Sequence, residues 1–313
     1  RISWDAALDL IAERFGMIIA RHGAEALAPH NYLGTMGVVQ RRALLRIFHA
    51  LGASRIHGHI CSVAAIASAG AGWPLGFDPE DMAESRLVLL WGLNALSTCH
   101  HHWHFIQEAR KRHGARVIAL DPIRTRTARQ CDEHIQLRPG SDAVLAAAMA
   151  RVMLTEGLAD LEFTRAAAAD LDHLPERVEP WTPGRAAAVC GVSAETILRL
   201  AREFASARPA VIRAGVGPQE SLAGDAFVRG IGTLAVLAGH WQLRGGGVLI
   251  IATPTLESTR VDRADLIPAG LAPRSLDMAH LGEQLTTLDP PLKGLMIWGT
   301  NPAVVQPDAA RVR

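Results

Sequence analysis

Two apolar runs constrain this chain more than anything else in it. Leu87 to Trp91 and Arg116 to Leu120 are each the length of one strand, nearly free of polar side chains, and separated by a helical stretch from Trp103 to Arg112. A strand that is apolar on both faces must be covered on both, as strands inside a parallel sheet are, and a helix between two such strands makes a βαβ unit. The alternation continues. A short strand is predicted near Ile135 to Leu137, a helix from Ser141 to about Thr155, a strand at Ala210 to Ala214, a helix after Asp225 and a strand at Val248 to Ala252. Such a series predicts a doubly wound α/β domain.

The flanking sequence reads differently. Ala7, Leu8, Ile11, Phe15, Ile18 and Ile19 recur with a helical period, and Ser3 stands where an N-cap belongs. A short apolar stretch near Leu27, a turn at Gly34-Thr35-Met36-Gly37 and a helix around Arg41 to Leu51 follow. From Gly52 to Gly76 glycine and alanine dominate, which predicts a loop able to approach a ligand closely. Polar, irregular sequence from Pro254 to Asp277 predicts a long loop or crossover and a domain boundary. After it come a helix around Leu276 to Leu288 and a strand at Leu295 to Trp298.

With 313 residues, 49% of them hydrophobic and 20% charged, the chain can bury two domains of ordinary size. Its formal charge of +1 supplies no field toward nucleic acid or an anionic membrane, so a small molecule or another protein is the expected partner. No apolar run reaches the roughly 18 residues of a membrane span, so no direct membrane insertion is expected. Cys61, Cys99, Cys131 and Cys190 form no CxxC pair, which argues against a structural zinc or iron-sulfur cluster within this segment. The chain starts at Arg1 rather than Met, as a piece cut from a longer reading frame would, and both a cytoplasmic and a periplasmic location are compatible.

One pattern occurs twice. The strand ending Trp91-Gly92-Leu93-Asn94 is echoed by Trp298-Gly299-Thr300-Asn301. In open α/β sheets ligands bind just beyond the carboxyl ends of strands, where a glycine admits a phosphate to backbone amides and a polar side chain can hydrogen-bond it. Two ordinary strand-to-loop turns would read the same way. Asp121 ends the second strand of the βαβ unit, a position that commonly accepts from a ribose hydroxyl, and Arg124 and Thr125 follow with a guanidinium and a hydroxyl. Asp-Pro at a strand end is also a plain turn. In Arg138-Pro139-Gly140-Ser141-Asp142 the acid at a helix start serves either the helix dipole or the amino and imino groups of a base. Neither GxxxxGK[ST] nor a full GxGxxG is present, which demotes an ordinary ATP or nicotinamide site.

Cys61, in His57-Gly58-His59-Ile60-Cys61-Ser62, is either a soft metal ligand or nucleophile on a flexible loop or a small buried hydrophobe. Cys99, His100, His101, His102 and His104 also have ligand-like spacing, with His100 and His104 one helical turn apart. Adjacent histidines cannot all face one metal, so a solvated or cofactor-edge cluster competes with a zinc site there.

Taken in order, these segments resemble the molybdopterin-dependent oxidoreductases related to dimethyl sulfoxide reductase and formate dehydrogenase. The resemblance runs through Ser3-Trp4-Asp5-Ala6-Ala7, Gly34-Thr35-Met36-Gly37, Cys61, Trp91-Gly92-x-Asn94, Asp121-Pro122-x-Arg124-Thr125-x-Thr127-Ala128 and Arg138-Pro139-Gly140-Ser141-Asp142-Ala143. It continues through Gly215-x-Gly217-x-Gln219, Gly245-Gly246-Gly247 and Trp298-Gly299-Thr300-Asn301-Pro302, and so covers essentially the whole chain.

That resemblance implies two related α/β domains with mostly parallel sheets, the second inserted in the first. Residues 1–56 and 254–313 would form a discontinuous domain, and residues 57–253 the inserted one. Each would bind one molybdopterin guanine dinucleotide, with molybdenum or tungsten between the two pterins. Cys61 would be the protein thiolate on the metal. Gly92, Asn94, Asp121, Arg124, Thr125, Gly140, Asp142, Gly215 and Gln219 would contact one dinucleotide, and Gly299 and Asn301 the other. A segment with a [4Fe-4S] cluster would precede this piece, a barrel-like domain would follow it, and an iron-sulfur subunit or domain would exchange electrons with it. The piece alone would be a poor catalyst of the parent's reaction, two-electron redox or oxygen-atom transfer on a small molecule. Ser62 follows Cys61 where formate dehydrogenases place a histidine, and no matching arginine follows Gly245. Both departures point from formate toward a sulfur- or nitrogen-oxyanion reductase or another dehydrogenase. A scaffold subunit of a respiratory complex, keeping the fold without metal, is the alternative within the family, and a zinc hydrolase using Cys99, His100 and His104 the alternative outside it.

Overall fold

The computed structural model describes residues 1–32, 34, 37–58, 60–61, 64–65, 68, 72, 75–168, 173–250 and 259–313. Thr35 and Met36 of the expected turn, His59, Ser62, and Ile251 and Ala252 of the expected last strand of the inserted domain lie outside the described residues. The described strands are β1 (Leu27–Asn31), β2 (Arg55–His57), β3 (Leu87–Trp91), β4 (Arg116–Leu120), β5 (Glu133–Ile135), β6 (Ala210–Ala214), β7 (Gly247–Leu249), β8 (Ser275–Asp277) and β9 (Gly294–Trp298). All their described pairings are parallel. The chain divides into two compact units, Arg1–Ile60 with Pro254–Arg313, and Cys61–Thr253.

The Cys61–Thr253 unit is built on a five-stranded sheet of order β5-β4-β3-β6-β7. Counting only its own strands in chain order, that is 3-2-1-4-5, the doubly wound arrangement whose order reverses between the first and fourth strands. Alternation along each strand divides the core between the two faces. Leu87, Leu89 and Trp91 pack with Ile118, Leu120 and Ile212 on one face, whereas Val88, Leu90, Val117 and Val211 point to the other. The first face is covered by helices Asp142–Thr155, Ala194–Ser206 and Gly224–Leu237, which contribute Leu145, Met149, Leu200, Phe204, Phe227 and Ile231. The second is covered by helix His100–His113 through Ile106, with Met82 beside it.

The Arg1–Ile60 and Pro254–Arg313 unit holds two parallel strand pairs, β1 with β9 and β2 with β8. Ser3 caps the first helix, Trp4–His22, its hydroxyl accepting from the Ala6 amide at 3.1 Å. Leu27, Phe48 and Ala53 form the buried centre, with Phe15, Ile18, Met296 and Trp298 around it. Phe48 stacks on Trp298 at 6.4 Å.

Several expectations shift. The helix expected from Arg41 to Leu51 is two, Val38–Arg42 and Leu45–Leu51. The strand expected at Ile135 to Leu137 ends at Ile135, because Leu137 is buried in the loop that leads to Arg138 and Gly140. Within the expected long loop after Pro254 lie helix Thr259–Asp262 and β8, and β8 also occupies the start of the helix expected from Leu276. Asp277 then accepts from the Ala279 amide, and the helix runs from Leu281 to Thr287. Four helices between 156 and 209 went unread, although Asp160, Thr182 and Ser193 each cap one through a side-chain oxygen.

Candidate functional site

The strand order of the larger sheet reverses between β3 and β6, so a crevice is expected outside their carboxyl ends. Both ends turn on glycine. Gly92 has φ +60, a conformation L side chains resist, and its amide donates to the Leu120 carbonyl at 2.7 Å. Gly215 donates to the Trp91 carbonyl at 2.8 Å and lies so close that a Cβ there would stand 1.9 Å from the Gly92 oxygen. Gly215 is buried, so its contribution to the site is to let two strand ends approach.

Asn94 is the residue before the short helix Ala95–Thr98, yet its side chain does not cap that helix. Thr127 does the work instead. Its hydroxyl accepts from the Leu96 amide at 2.9 Å and donates to Asn94 Oδ1 at 2.8 Å. This fixes the Asn94 amide plane with its oxygen engaged, leaving Nδ2 as a half-exposed donor. Thr127 belongs to the Asp121-to-Ala128 pattern in the sequence but was not expected to contact the dinucleotide. Its signal was the second threonine of Arg124-Thr125-Arg126-Thr127.

The acids expected at this site are held in detail. Asp121 is 9% exposed, and one of its oxygens accepts from the Ile123 amide at 2.8 Å, closing a local turn. Asp142 opens helix Asp142–Thr155 and accepts from the Trp91 indole at 2.8 Å. Burial pushes the Asp142 carboxyl above the usual carboxylate range. The Trp91 hydrogen bond opposes that shift, and the Asp121 charge adds to it. Gly140, with φ +80, is exposed two residues before it. Thr125 accepts from the Ala128 amide at 3.1 Å, and the Arg124 guanidinium is exposed. The structure therefore offers one cation, two carboxylates and one amide donor from residues predicted for the dinucleotide.

Gln219 is spent differently. Its Nε2 donates to the Gly215 carbonyl at 3.1 Å, and its Oε1 accepts from the Ala65 amide at 3.2 Å. Cys61 is half-buried, four residues before Ala65.

In the other unit the echo is geometrical as well as sequential. Gly299 follows β9 with φ +64, and Asn301 precedes the short helix Pro302–Val305 as Asn94 precedes Ala95–Thr98. A Cβ on Gly34 would stand 2.0 Å from the Gly299 oxygen, as one on Gly215 would from Gly92. Between the pair, the Thr300 hydroxyl is buried and finds no hydrogen-bond partner among the described residues.

The histidine cluster disperses. His102 Nδ1 accepts from the buried Arg213 guanidinium at 2.9 Å, and burial, then Arg213 and His101, hold its pKa down at about 4. His104 pairs with Glu108 at 3.3 Å, and Cys99 faces Arg213 at 3.6 Å. Among the described residues no three histidine, cysteine, aspartate or glutamate side chains are grouped to hold a metal. Nor is any helix among them long and apolar enough to cross a membrane.

A parallel sheet of this order, turning on glycine at its switch point, defines a doubly wound α/β protein. The comparisons with known proteins name the family. The sequence profile of the molybdopterin oxidoreductase family matches residues 1–313. The chain is 36% identical to "Probable oxidoreductase YoaE" of Bacillus subtilis, covering 100% of this chain and 46% of that protein. It is 33% identical to "Dimethyl sulfoxide reductase DmsA" of Escherichia coli, over 82% of this chain and 37% of that one. "Formate dehydrogenase H" of the same organism is 30% identical over 79% of this chain and 35% of that protein. Among solved structures, acetylene hydratase from Pelobacter acetylenicus superposes with a TM-score of 0.61 at 25% identity, over 86% of this chain and 37% of that one. The chain therefore belongs to the molybdopterin oxidoreductase family, of the dimethyl sulfoxide reductase and formate dehydrogenase type. It spans less than half the length of these relatives. Membership implies a pterin cofactor carrying molybdenum or tungsten.

Proposed function

We propose that this chain is the cofactor-gripping core of a larger oxidoreductase and that it holds two molybdopterin guanine dinucleotides, one on each unit. The observation that carries this reading is the doubled turn: strand, tryptophan, left-handed glycine, one residue, asparagine, short helix, at Trp91 to Asn94 and again at Trp298 to Asn301.

In the Cys61–Thr253 unit the groups present fit a guanine dinucleotide. Gly92 lets a phosphate reach the backbone, Asn94 Nδ2 donates to it, and Arg124 offsets its charge. Asp121, through the oxygen its turn leaves open, and Thr125 meet ribose hydroxyls. Asp142 accepts from the amino and imino groups of guanine, with Gly140 giving the base room. Gly215 stands behind Gly92 as support. In the other unit, Gly299 and Asn301 repeat the phosphate turn, and the buried Thr300 hydroxyl is a hydrogen-bonding group awaiting a partner.

Cys61 supplies a thiolate to the metal. The bound group supplies two-electron redox at that metal, with or without transfer of an oxygen atom, on a small-molecule substrate. The protein's part is orientation, a ligand sulfur and the exclusion of competing reactions. Electrons would pass through a [4Fe-4S] segment of the parent and an iron-sulfur partner subunit or domain. The departure from the formate-specific pattern at Ser62 speaks against formate and leaves a sulfur- or nitrogen-oxyanion reductase or another dehydrogenase as the reading.

The test is chemical. Acid hydrolysis of the full-length protein should release two guanine nucleotides per molybdenum or tungsten atom. One nucleotide per metal, or metal with none, would exclude the reading. Cys61→Ala in the same protein should abolish turnover with both nucleotides retained.

A further inference from the structure

The spacing Gly215-x-Gly217-x-Gln219-x4-Gly224 has the glycine content of a ligand-binding loop, and the geometry gives Gly215, Gln219 and Gly224 a different use. Gly215 is fixed to β3 by the hydrogen bond its amide donates to the Trp91 carbonyl and by the close approach of the Gly92 oxygen. Its carbonyl is therefore a rigid acceptor, and Gln219 Nε2 hangs from it at 3.1 Å. Behind Gln219 the chain is pinned as well. A Cβ on Gly224 would stand 1.9 Å from the Gln219 oxygen, and the Gln219 amide donates to the Val216 carbonyl at 2.9 Å. Only 7% of Gln219 is exposed. The remaining end of the side chain, Oε1, accepts from the backbone amide of Ala65, 154 residues earlier and also buried.

We infer that Gln219 is a positioning residue for the Cys61 loop rather than a ligand of the dinucleotide. A side-chain amide held at both ends cannot turn toward a cofactor without breaking one bond or the other. Held as it is, it transmits the fixed position of the β6 end to Ala65, in a segment rich in glycine and alanine. Ala65 lies four residues from Cys61, so clamping its amide confines Cys61 to within about 14 Å of a fixed point along the chain. The motif's glycines serve that clamp. Gly215 lets the strand ends meet, and Gly224 lets the next helix start against the Gln219 carbonyl.

This inference rests on Cys61 being the metal ligand, and one experiment separates the two. In the full-length protein, Gln219→Met fills the same space without either hydrogen bond, and Gln219→Glu keeps an acceptor for the Ala65 amide. Guanine nucleotide content is measured on the protein as purified. The rate at which iodoacetamide alkylates Cys61, followed by mass spectrometry of its peptide, is measured after cofactor removal. Q219M should keep its guanine content and alkylate Cys61 about tenfold faster, the change expected from losing a net protein hydrogen bond. Q219E should fall between Q219M and the wild type. Lowered guanine content with an unchanged alkylation rate would make Gln219 a cofactor ligand and overturn the inference. No change in either quantity would overturn it too. If Q219M does not fold, the Q219E rate decides, because an unaltered rate there means the clamp is not acting on the loop. Failure of the underlying reading shows elsewhere: Cys61→Ser with wild-type turnover would remove the metal ligand while leaving the alkylation result standing.

Discussion

Gly215 is packed so tightly under Gly92 that a single carbon added to it would stand 1.9 Å from the Gly92 carbonyl oxygen, and Gly34 stands in the same relation to Gly299, at 2.0 Å. The contact is backbone on backbone, so no side chain can swing away to relieve it. Gly215→Ala and Gly34→Ala should each lower stability by about 1–3 kcal/mol or more, as overpacking does. Gly16 is the control. It lies inside helix Trp4–His22 with nothing within 4 Å of an added Cβ, so Gly16→Ala should raise stability by about 0.5–1 kcal/mol. Urea unfolding curves of the three variants test this, and equal effects at all three positions would contradict it.

Asp142 is a carboxyl whose burial costs stability at neutral pH. Its pKa is raised in the folded state, so the favourable contribution is present below the ordinary carboxylate value and lost as pH rises through the folded one. Asp142→Asn keeps an oxygen for the Trp91 indole and removes the charge. The variant without cofactor should be at least as stable as the wild type at pH 7, while its guanine content should fall, since an amide cannot accept from both the amino and imino groups of the base. Loss of stability at pH 7 with undiminished guanine content would assign Asp142 to the fold alone.

His240 is fully buried, with Nε2 donating to the Phe204 carbonyl at 2.8 Å and Nδ1 accepting from the Ala210 amide at 3.4 Å. Burial holds its pKa down at about 4, against an ordinary value of 6.5. The unfolded chain therefore binds a proton first on acidification, and stability falls between pH 6.5 and 4. The full loss from this group is about 3 kcal/mol. His102, also held at about 4, titrates in the same direction. Unfolding midpoints measured across that window should slope less steeply in His240→Gln, and an identical slope would show that the buried imidazole is not the source.

The interior of the larger sheet was legible in the sequence because its strands are buried on both faces, and a continuous apolar run such as Leu87 to Trp91 has few other uses. β2 and β8 were not, since a strand of three residues is too short to carry a periodic signal. The helices between 156 and 209 carry caps at Asp160, Thr182 and Ser193, and Ala194–Ser206 also repeats Ile197, Leu200, Ala201 and Phe204 at helical spacing, a legible signal left unread. At the candidate site, Gly92 and Asn94 stood out because the pattern Trp-Gly-x-Asn at a strand end recurs at Trp298 to Asn301. Gln219 and Thr127 act through partners 154 and 33 positions away in sequence, and no local pattern reports such a partner.

The most direct test of one dinucleotide on each unit is the guanine content of Asn94→Asp and Asn301→Asp in the full-length protein. Each change preserves shape and replaces a phosphate donor with a carboxylate. Both variants should release less guanine nucleotide per polypeptide than the wild type, one site weakened in each. Wild-type guanine content in either variant would contradict the equivalence of the two turns and, with it, the proposed function.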